Sequence, residues 1–467
     1  MVYFNHTYHL FYQYFPGGIN WGPMHWGHAV SRDMVHWKEL PVALYPDSLG
    51  YIFSGSAVVD SGNTSGFGRN GKIPLVAIFT HHDPKGEKAG RNDFQNQSLA
   101  YSLNEGKSWT KYAGNPVLKN PGIRDFRDPK VMWFAPAHKW VMTLATKDRV
   151  SFYSSPDLKN WKKESEFGKD AGAHGGVWEC PDLFALKLNG KTYWVLIVNV
   201  NPGGPNGGSA TQYFVGGFDG IKFRQLDNKI RWVDYGPDEY AGVTWSNTGS
   251  RKIFLGWMSN WTYANQLPTT KWRNAMTIPR ELSLEKVDGG IMLRSLPVKE
   301  FARLGQKREP LSGAELDGKV KKGVPAQYLL KLRTQSAHSY SVTVSNGSER
   351  LVFGYDRSAN RYYIDRSMSG KTGFNPEFGK IAYAPRLSKT LAGDVELVVD
   401  NSSIEVFADH GLTVMTATFF PRKPYSRLQI NGQKGQFPEV IIIPLKSIWY
   451  QIDQNGLRLK PEHIRNK

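Results

Sequence analysis

The sequence predicts an all-β protein, a five-bladed β-propeller followed by a C-terminal β-sandwich, and three observations carry that expectation. A hairpin unit recurs along the N-terminal part of the chain. A turn that ends on an aromatic residue recurs in step with it. Near residue 297 the texture becomes charged and poor in aromatics before strand-like alternation resumes. Composition agrees. A chain of 467 residues exceeds what one core usually holds, which favours two domains. Aromatic residues make up 13% of it, and with 47 Gly and 27 Pro they favour many short strands and turns over long helices.

The hairpin unit is clearest at Phe126-Arg127-Asp128-Pro129-Lys130-Val131-Met132-Trp133-Phe134, which a short turn joins to Lys139-Trp140-Val141-Met142-Thr143-Leu144. A second copy runs from Trp178-Glu179-Cys180-Pro181-Asp182-Leu183-Phe184 through Asn189-Gly190 to Tyr193-Trp194-Val195-Leu196-Ile197. A carboxylate, Asp128 or Glu179, stands just ahead of each. The N-terminal copy, residues 1–4 and 8–14 around Asn5-His6-Thr7, offers the hairpin alone. If every copy carries an acid, the first is expected upstream of Met1, and the first blade is expected to be truncated at its start.

The second recurring element is a turn. It reads Ser31-Arg32-Asp33-Met34-Val35-His36-Trp37, then Ser102-Leu103-Asn104-Glu105-Gly106-Lys107-Ser108-Trp109, then Ser154-Ser155-Pro156-Asp157-Leu158-Lys159-Asn160-Trp161. A degenerate fourth is Gly217-Phe218-Asp219-Gly220-Ile221-Lys222-Phe223. Strand-and-turn repeats at intervals of about 50–70 residues point to propeller blades. A fifth unit is expected from about residue 241, through Lys252-Ile253-Phe254-Leu255-Gly256-Trp257, to residue 285. The propeller is therefore placed at 1–296, a linker at 297–325 and the sandwich at 326–467. In the last of these, alternating runs at 340–344, 396–400 and 403–407 are separated by turn signals such as Asn346-Gly347 and Asn431-Gly432.

Several function classes are excluded. The net charge of +18 invites a nucleic-acid partner, but the basic residues are spread thinly and no nucleic-acid module accompanies them, so none is expected. The single cysteine, Cys180, rules out an internal disulfide and any multi-cysteine metal site. No metal-ligand cluster is evident, and neither metal nor cofactor is expected. No apolar run approaches the roughly 20 residues of a spanning helix. No signal peptide is visible; should one precede Met1, an extracellular or periplasmic location is expected. The glycines of residues 201–208 suggest a phosphate loop, but no Lys-Ser/Thr follows and no helix is predicted after them.

Asp128 and Glu179 stand out by context. Innermost propeller strands begin near the central axis, so acids at equivalent positions of different blades converge at one mouth. Two carboxylates in different surroundings are what glycoside hydrolysis needs, one protonated and one ionised. An aromatic wall beside Glu179 is expected to raise its pKa, while Arg127 is expected to keep the adjacent Asp128 ionised. The residues alone leave a plainer alternative open, in which each acid caps a strand or pairs with a nearby arginine.

Arg127-Asp128-Pro129 and Glu179-Cys180-Pro181 resemble two of the three acidic motifs of glycoside hydrolase family 32, the β-fructofuranosidases. Further similarities are Met24-His25-Trp26-Gly27-His28-Ala29, Phe53-Ser54-Gly55-Ser56, the run from Trp272-Arg273-Asn274-Ala275-Met276 to Pro279-Arg280-Glu281-Leu282, and Ser403-Ile404-Glu405-Val406-Phe407. The family's first motif, Trp-Met-Asn-Asp-Pro-Asn-Gly, carries the nucleophile and runs into a hairpin similar to residues 1–14. The resemblance thus implies that the nucleophile is absent from this chain. It implies Glu179 as general acid and base, Asp128 with Arg127 as transition-state stabiliser, and Gln13, Trp21, Phe53, Ser54, Tyr240 and Trp261 as the pocket for a terminal fructose.

Residues 201–214 are similar to a segment of exo-acting levanases and inulinases. The implied activity is retaining release of terminal β-D-fructose from levan or inulin, with sucrose as a further candidate. The chain as printed is expected to be inactive or impaired, and less stable than one extended upstream. The alternatives are a catalytically dead fructan-binding protein and a fructosyltransferase.

Overall fold

Five antiparallel sheets follow one another along the chain and are the blades of a propeller; two further sheets form the sandwich. The structure, a computed structural model, describes residues 1–287, 290–311, 318–390, 393–448, 451–452 and 458–459. Blade one contains β1 (Val2–Phe4), β2 (Thr7–Tyr14), β3 (His25–Ser31) and β4 (Lys38–Leu44). Blade two contains β5 (Tyr51–Val59), β6 (Leu75–His82), β7 (Gln95–Ser102) and β8 (Thr110–Lys111), with a short helix α1 (Pro84–Lys88) between β6 and β7. β9 (Phe126–Phe134), β10 (Lys139–Thr146), β11 (Arg149–Ser155) and β12 (Lys162–Phe167) form the third. β13 (Val177–Leu188), β14 (Lys191–Asn201), β15 (Ala210–Phe218) and β16 (Phe223–Gln225) form the fourth. The fifth comprises β17 (Tyr240–Thr244), β18 (Lys252–Met258), β19 (Ala275–Met276), β20 (Arg280–Val287) and β21 (Gly290–Pro297).

The recurring turn has a physical content. It joins the third strand of a blade to the fourth, and its polar residues supply the hydrogen bonds that its backbone needs. The Ser31 hydroxyl accepts from the Met34 N–H, and Asp33 Oδ1 accepts from the N–H groups of Val35 and His36. Asp157 does the same for Lys159 and Asn160. The next residue sits in the left-handed region, at φ 60 for Met34 and 66 for Leu158, where the Asx bonds hold it. The closing Trp37 and Trp161 donate their indole N–H back to the Met34 and Leu158 carbonyls.

Blade one has four strands, as blades two to four do. Its innermost strand is short, at 3 residues against 9 for β9 and 12 for β13. The ring is joined there: the Tyr3 N–H donates to the Ser246 carbonyl at 2.9 Å, and the Ser246 N–H to the Met1 carbonyl at 3.2 Å.

The sandwich packs two 6-stranded sheets. One holds β22 (Glu309–Pro310), β24 (Tyr328–Thr334), β29 (Gly393–Val399), β30 (Ser403–Ala408), β31 (Thr413–Thr418) and β33 (Glu439–Pro444). The other holds β23 (Val320–Lys322), β25 (Tyr340–Ser345), β26 (Arg350–Asp356), β27 (Arg361–Asp365), β28 (Ala382–Pro385) and β32 (Arg427–Asn431). Alternation along β24 and β25 points Leu330, Leu332, Val342 and Val344 inward to one core. The segment read as a linker, 297–325, is not free of sheet structure. It holds a 3-10 helix at Lys299–Leu304, and β22 and β23 pair with β33 and β32. Short edge strands of this kind carry too few apolar residues to show a period of two. Residues 312–317 of that segment, and 391–392, 449–450, 453–457 and 460–467 of the expected sandwich, lie outside the described residues.

Two of the motifs quoted above meet between the domains. Arg280 donates to Asp234 at 2.8 Å, to Glu405 at 2.7 Å and to the Thr416 hydroxyl at 2.7 Å, all fully buried. Glu405 also accepts from the Ile278 N–H. Both carboxylates pair with the Arg280 cation, which offsets the cost of burying charge between the domains, while Arg280 Nε has no hydrogen-bond partner.

Candidate active site

Four of the five innermost strands lose register with their neighbour at the same level. The ladder slips between Ile52 and Gly55 in β5, opposite residues 127–130 in β9, between Glu179 and Asp182 in β13, and between Tyr240 and Val243 in β17. Such bulges add an unpaired residue and re-aim side chains. Asp128, Cys180 and Ala241 take positive φ there, at 66, 44 and 54. The result is a ring of bulges around the propeller axis, from which Phe53, Ser54, Arg127, Asp128, Glu179 and Tyr240 enter one pocket of about 720 Å³.

Every residue singled out from the sequence lines that pocket: those six, Gln13 at the end of β2, Trp21 on the loop after it, and Trp261 beyond β18. Trp21 and Trp261 stand at the rim, 49% and 38% exposed. Sequence reasoning did not single out Trp257, Trp272 and Met276, which line the same wall. Trp272 and Met276 lie inside a quoted motif; Trp257 lies in the fifth repeat and had no signal of its own.

The electrostatics differ from the expectation. Arg127 does not pair with Asp128. Its Nε and Nη2 donate to Glu179 Oε1 at 3.1 and 3.0 Å, and its Nη1 donates to Asp125 at 2.6 Å. The Tyr240 hydroxyl donates to the other oxygen, Glu179 Oε2. Asp128 is 6% exposed, and burial pushes its pKa up to about 6; Arg127 opposes that and Glu179 adds to it. Asp128 Oδ2 accepts from the Cys180 N–H at 3.0 Å, with the thiol at 3.6 Å. Adjacency in sequence misled here, because the bulge at 128 sends neighbouring side chains in different directions. Burial and the nearby Asp128 charge push the Cys180 thiol up, away from reactivity.

Below the carboxylates the blades are stitched together. Lys130 Nζ reaches Asp182 Oδ2 at 3.2 Å, and Asp182 also accepts from the Thr244 N–H and hydroxyl. Met1 lines the pocket too. No helix among the described residues is long and apolar enough to cross a membrane.

Comparison with known proteins gives a consistent set of matches. The model of the glycosyl hydrolases family 32 N-terminal domain matches residues 1–295, and that of the family 32 C terminal matches 304–444. A levanase of Bacillus subtilis is 47% identical over 96% of this chain and 68% of its own length. An extracellular exo-inulinase of Aspergillus ficuum is 38% identical over 96% of the chain and 92% of its own. The crystal structure of the exo-inulinase from Aspergillus awamori superposes with a TM-score of 0.87 at 35% identity, covering 96% of this chain and 95% of that one.

Proposed function

This chain belongs to glycosyl hydrolase family 32 and is a glycosidase of the β-fructofuranosidase type, and from that premise we propose that its pocket releases terminal β-D-fructose from levan or inulin. Sucrose is a smaller substrate of the same kind. The observation that carries the proposal is the placing of Glu179 and Asp128 on successive bulges of one pocket, with Arg127 and Tyr240 both donating to Glu179.

Glu179 is the general acid that protonates the glycosidic oxygen, and then the base that activates water. Asp128 sits where it can hold fructosyl hydroxyls and oppose positive charge developing on the ring. Phe53, with Trp21 edge-on to it at 6.3 Å, forms an apolar wall for the sugar, and Gln13 and Ser54 supply polar groups.

Retention needs a third group, a carboxylate that attacks the anomeric carbon. Among the described residues lining the pocket, the carboxylates are Asp128 and Glu179, and each has another task. Release of free fructose from levan, inulin and sucrose, measured with Glu179→Gln beside the parent chain, tests the assignment; parent-like release by Glu179→Gln would overturn it. Longer oligosaccharides in place of fructose at high sucrose would favour a transferase.

A further inference from the structure

Arg127 has a support that lies outside the pocket. Gln95 opens β7, is 2% exposed, and gives its side-chain oxygen to the Phe126 N–H at 3.0 Å and to Arg127 Nη1 at 3.4 Å. Its amide nitrogen faces His82 Nδ1 at 3.4 Å across the β6–β7 ladder, where the two residues are direct partners. His82 is equally buried, and its Nε2 stands 3.1 Å from Glu87 Oε2 on α1, within reach of that charge though outside hydrogen-bond geometry. None of Glu87, His82 and Gln95 lines the pocket.

The polarity of this chain is fixed from its outer end. The Glu87 carboxylate only accepts, so the proton of a neutral His82 belongs on Nε2. Nδ1 is then an acceptor and takes the Gln95 N–H. That leaves the Gln95 oxygen, and not its nitrogen, facing Arg127. With the amide reversed, two sets of N–H groups would oppose each other at Arg127 and at Phe126. Burial lowers the pKa of His82 and so keeps it neutral, against the pull of Glu87.

We propose that His82 is a positioning residue: held by Glu87 as the Nε2–H tautomer, it orients the Gln95 amide that braces Arg127 against Glu179. The proposal rests on the reading of Glu179 as the reacting acid. His82 has a second contact that could account for its presence, a stack on the pocket residue Phe53 at 4.2 Å and 6°. His82→Phe separates the two, since it keeps a ring for the stack and removes the acceptor.

Two measurements on the full chain test this. The first is the tautomer of His82, read from its ring 15N shifts at neutral pH. The Nε2–H form is expected; the Nδ1–H form, or a mixture, overturns the proposal whatever the chain binds. The second is affinity for D-fructose by calorimetry. His82→Phe and Gln95→Leu should each weaken it about five-fold or more, and the double variant no further than either alone, because both break one chain of bonds. Glu87→Ala, at a partly exposed position that folding tolerates, should give a smaller loss in the same direction. Wild-type affinity in His82→Phe, or fully additive losses, would overturn the proposal. If the unaltered chain binds no fructose, the functional reading fails, and the tautomer still decides the matter of His82.

Discussion

Arg127 holds Glu179 across a blade boundary and leaves its own sequence neighbour, Asp128, without its hydrogen bonds: both Nε–H and Nη2–H go to Glu179 Oε1. A lysine cannot reproduce that fork. A hydrogen bond to a charged group is worth about 1.5–3 kcal/mol, so Arg127→Lys should lower kcat for fructose release roughly 10–100-fold. Tyr240→Phe should fall in the same range. Steady-state kinetics on inulin provide the check.

Asp128 should trade stability for function. Its pKa, about 6 in the fold, lies above the ordinary carboxylate value, so the folded state favours the protonated form. The favourable contribution is complete below the unfolded pKa and is lost as pH rises through about 6. Asp128→Asn should therefore melt near the parent at pH 4 and above it at pH 7.5, by something on the order of 2 kcal/mol. Fructose release should fall about 10²–10³-fold in the same variant. A lower melting temperature at pH 7.5 would contradict this reading of the site.

Glu239 makes a separate prediction. It is 1% exposed, and neither carboxylate oxygen has a hydrogen-bond partner. Burial, with the Asp234 charge nearby, pushes its pKa up to about 8. The sign is the same as for Asp128, so stability should be lost as pH rises through about 8. Melting curves between about pH 5 and 9 should show that loss, complete by about pH 8, in the parent chain and a flatter profile in Glu239→Gln.

The domain junction should be brittle toward removal of a single charge. Arg280→Met leaves Asp234 and Glu405 buried without their cation, and breaking a buried pair in this way costs about 3–5 kcal/mol. Urea unfolding should show a loss of that size, and Arg280→Met combined with Glu405→Leu should recover part of it.

The blades were legible in the sequence because each is built from a local signal: a two-residue period along strands, and an Asx turn that closes on Trp37 or Trp161. The pocket membership of Trp21, Phe53 and Trp261 was legible only through motif resemblance, since nothing local separates a rim aromatic from a core one. The partner of Arg127 was not legible. Residues 127 and 179 lie on different blades, and the bulges that turn them toward each other leave no mark in composition. Glu239 was passed over for a similar reason, because an acid just ahead of a short strand looks exposed until Gly242 and Gly256 are packed against it.

The most direct measurement compares free fructose released from inulin by the parent protein, by Glu179→Gln and by Asp128→Asn. With Glu179 as the acid and Asp128 opposing charge on the ring, each variant should lose about 10²-fold or more of the parent rate. Parent-like turnover by either variant would contradict the assignment of Glu179 and Asp128 to their separate tasks.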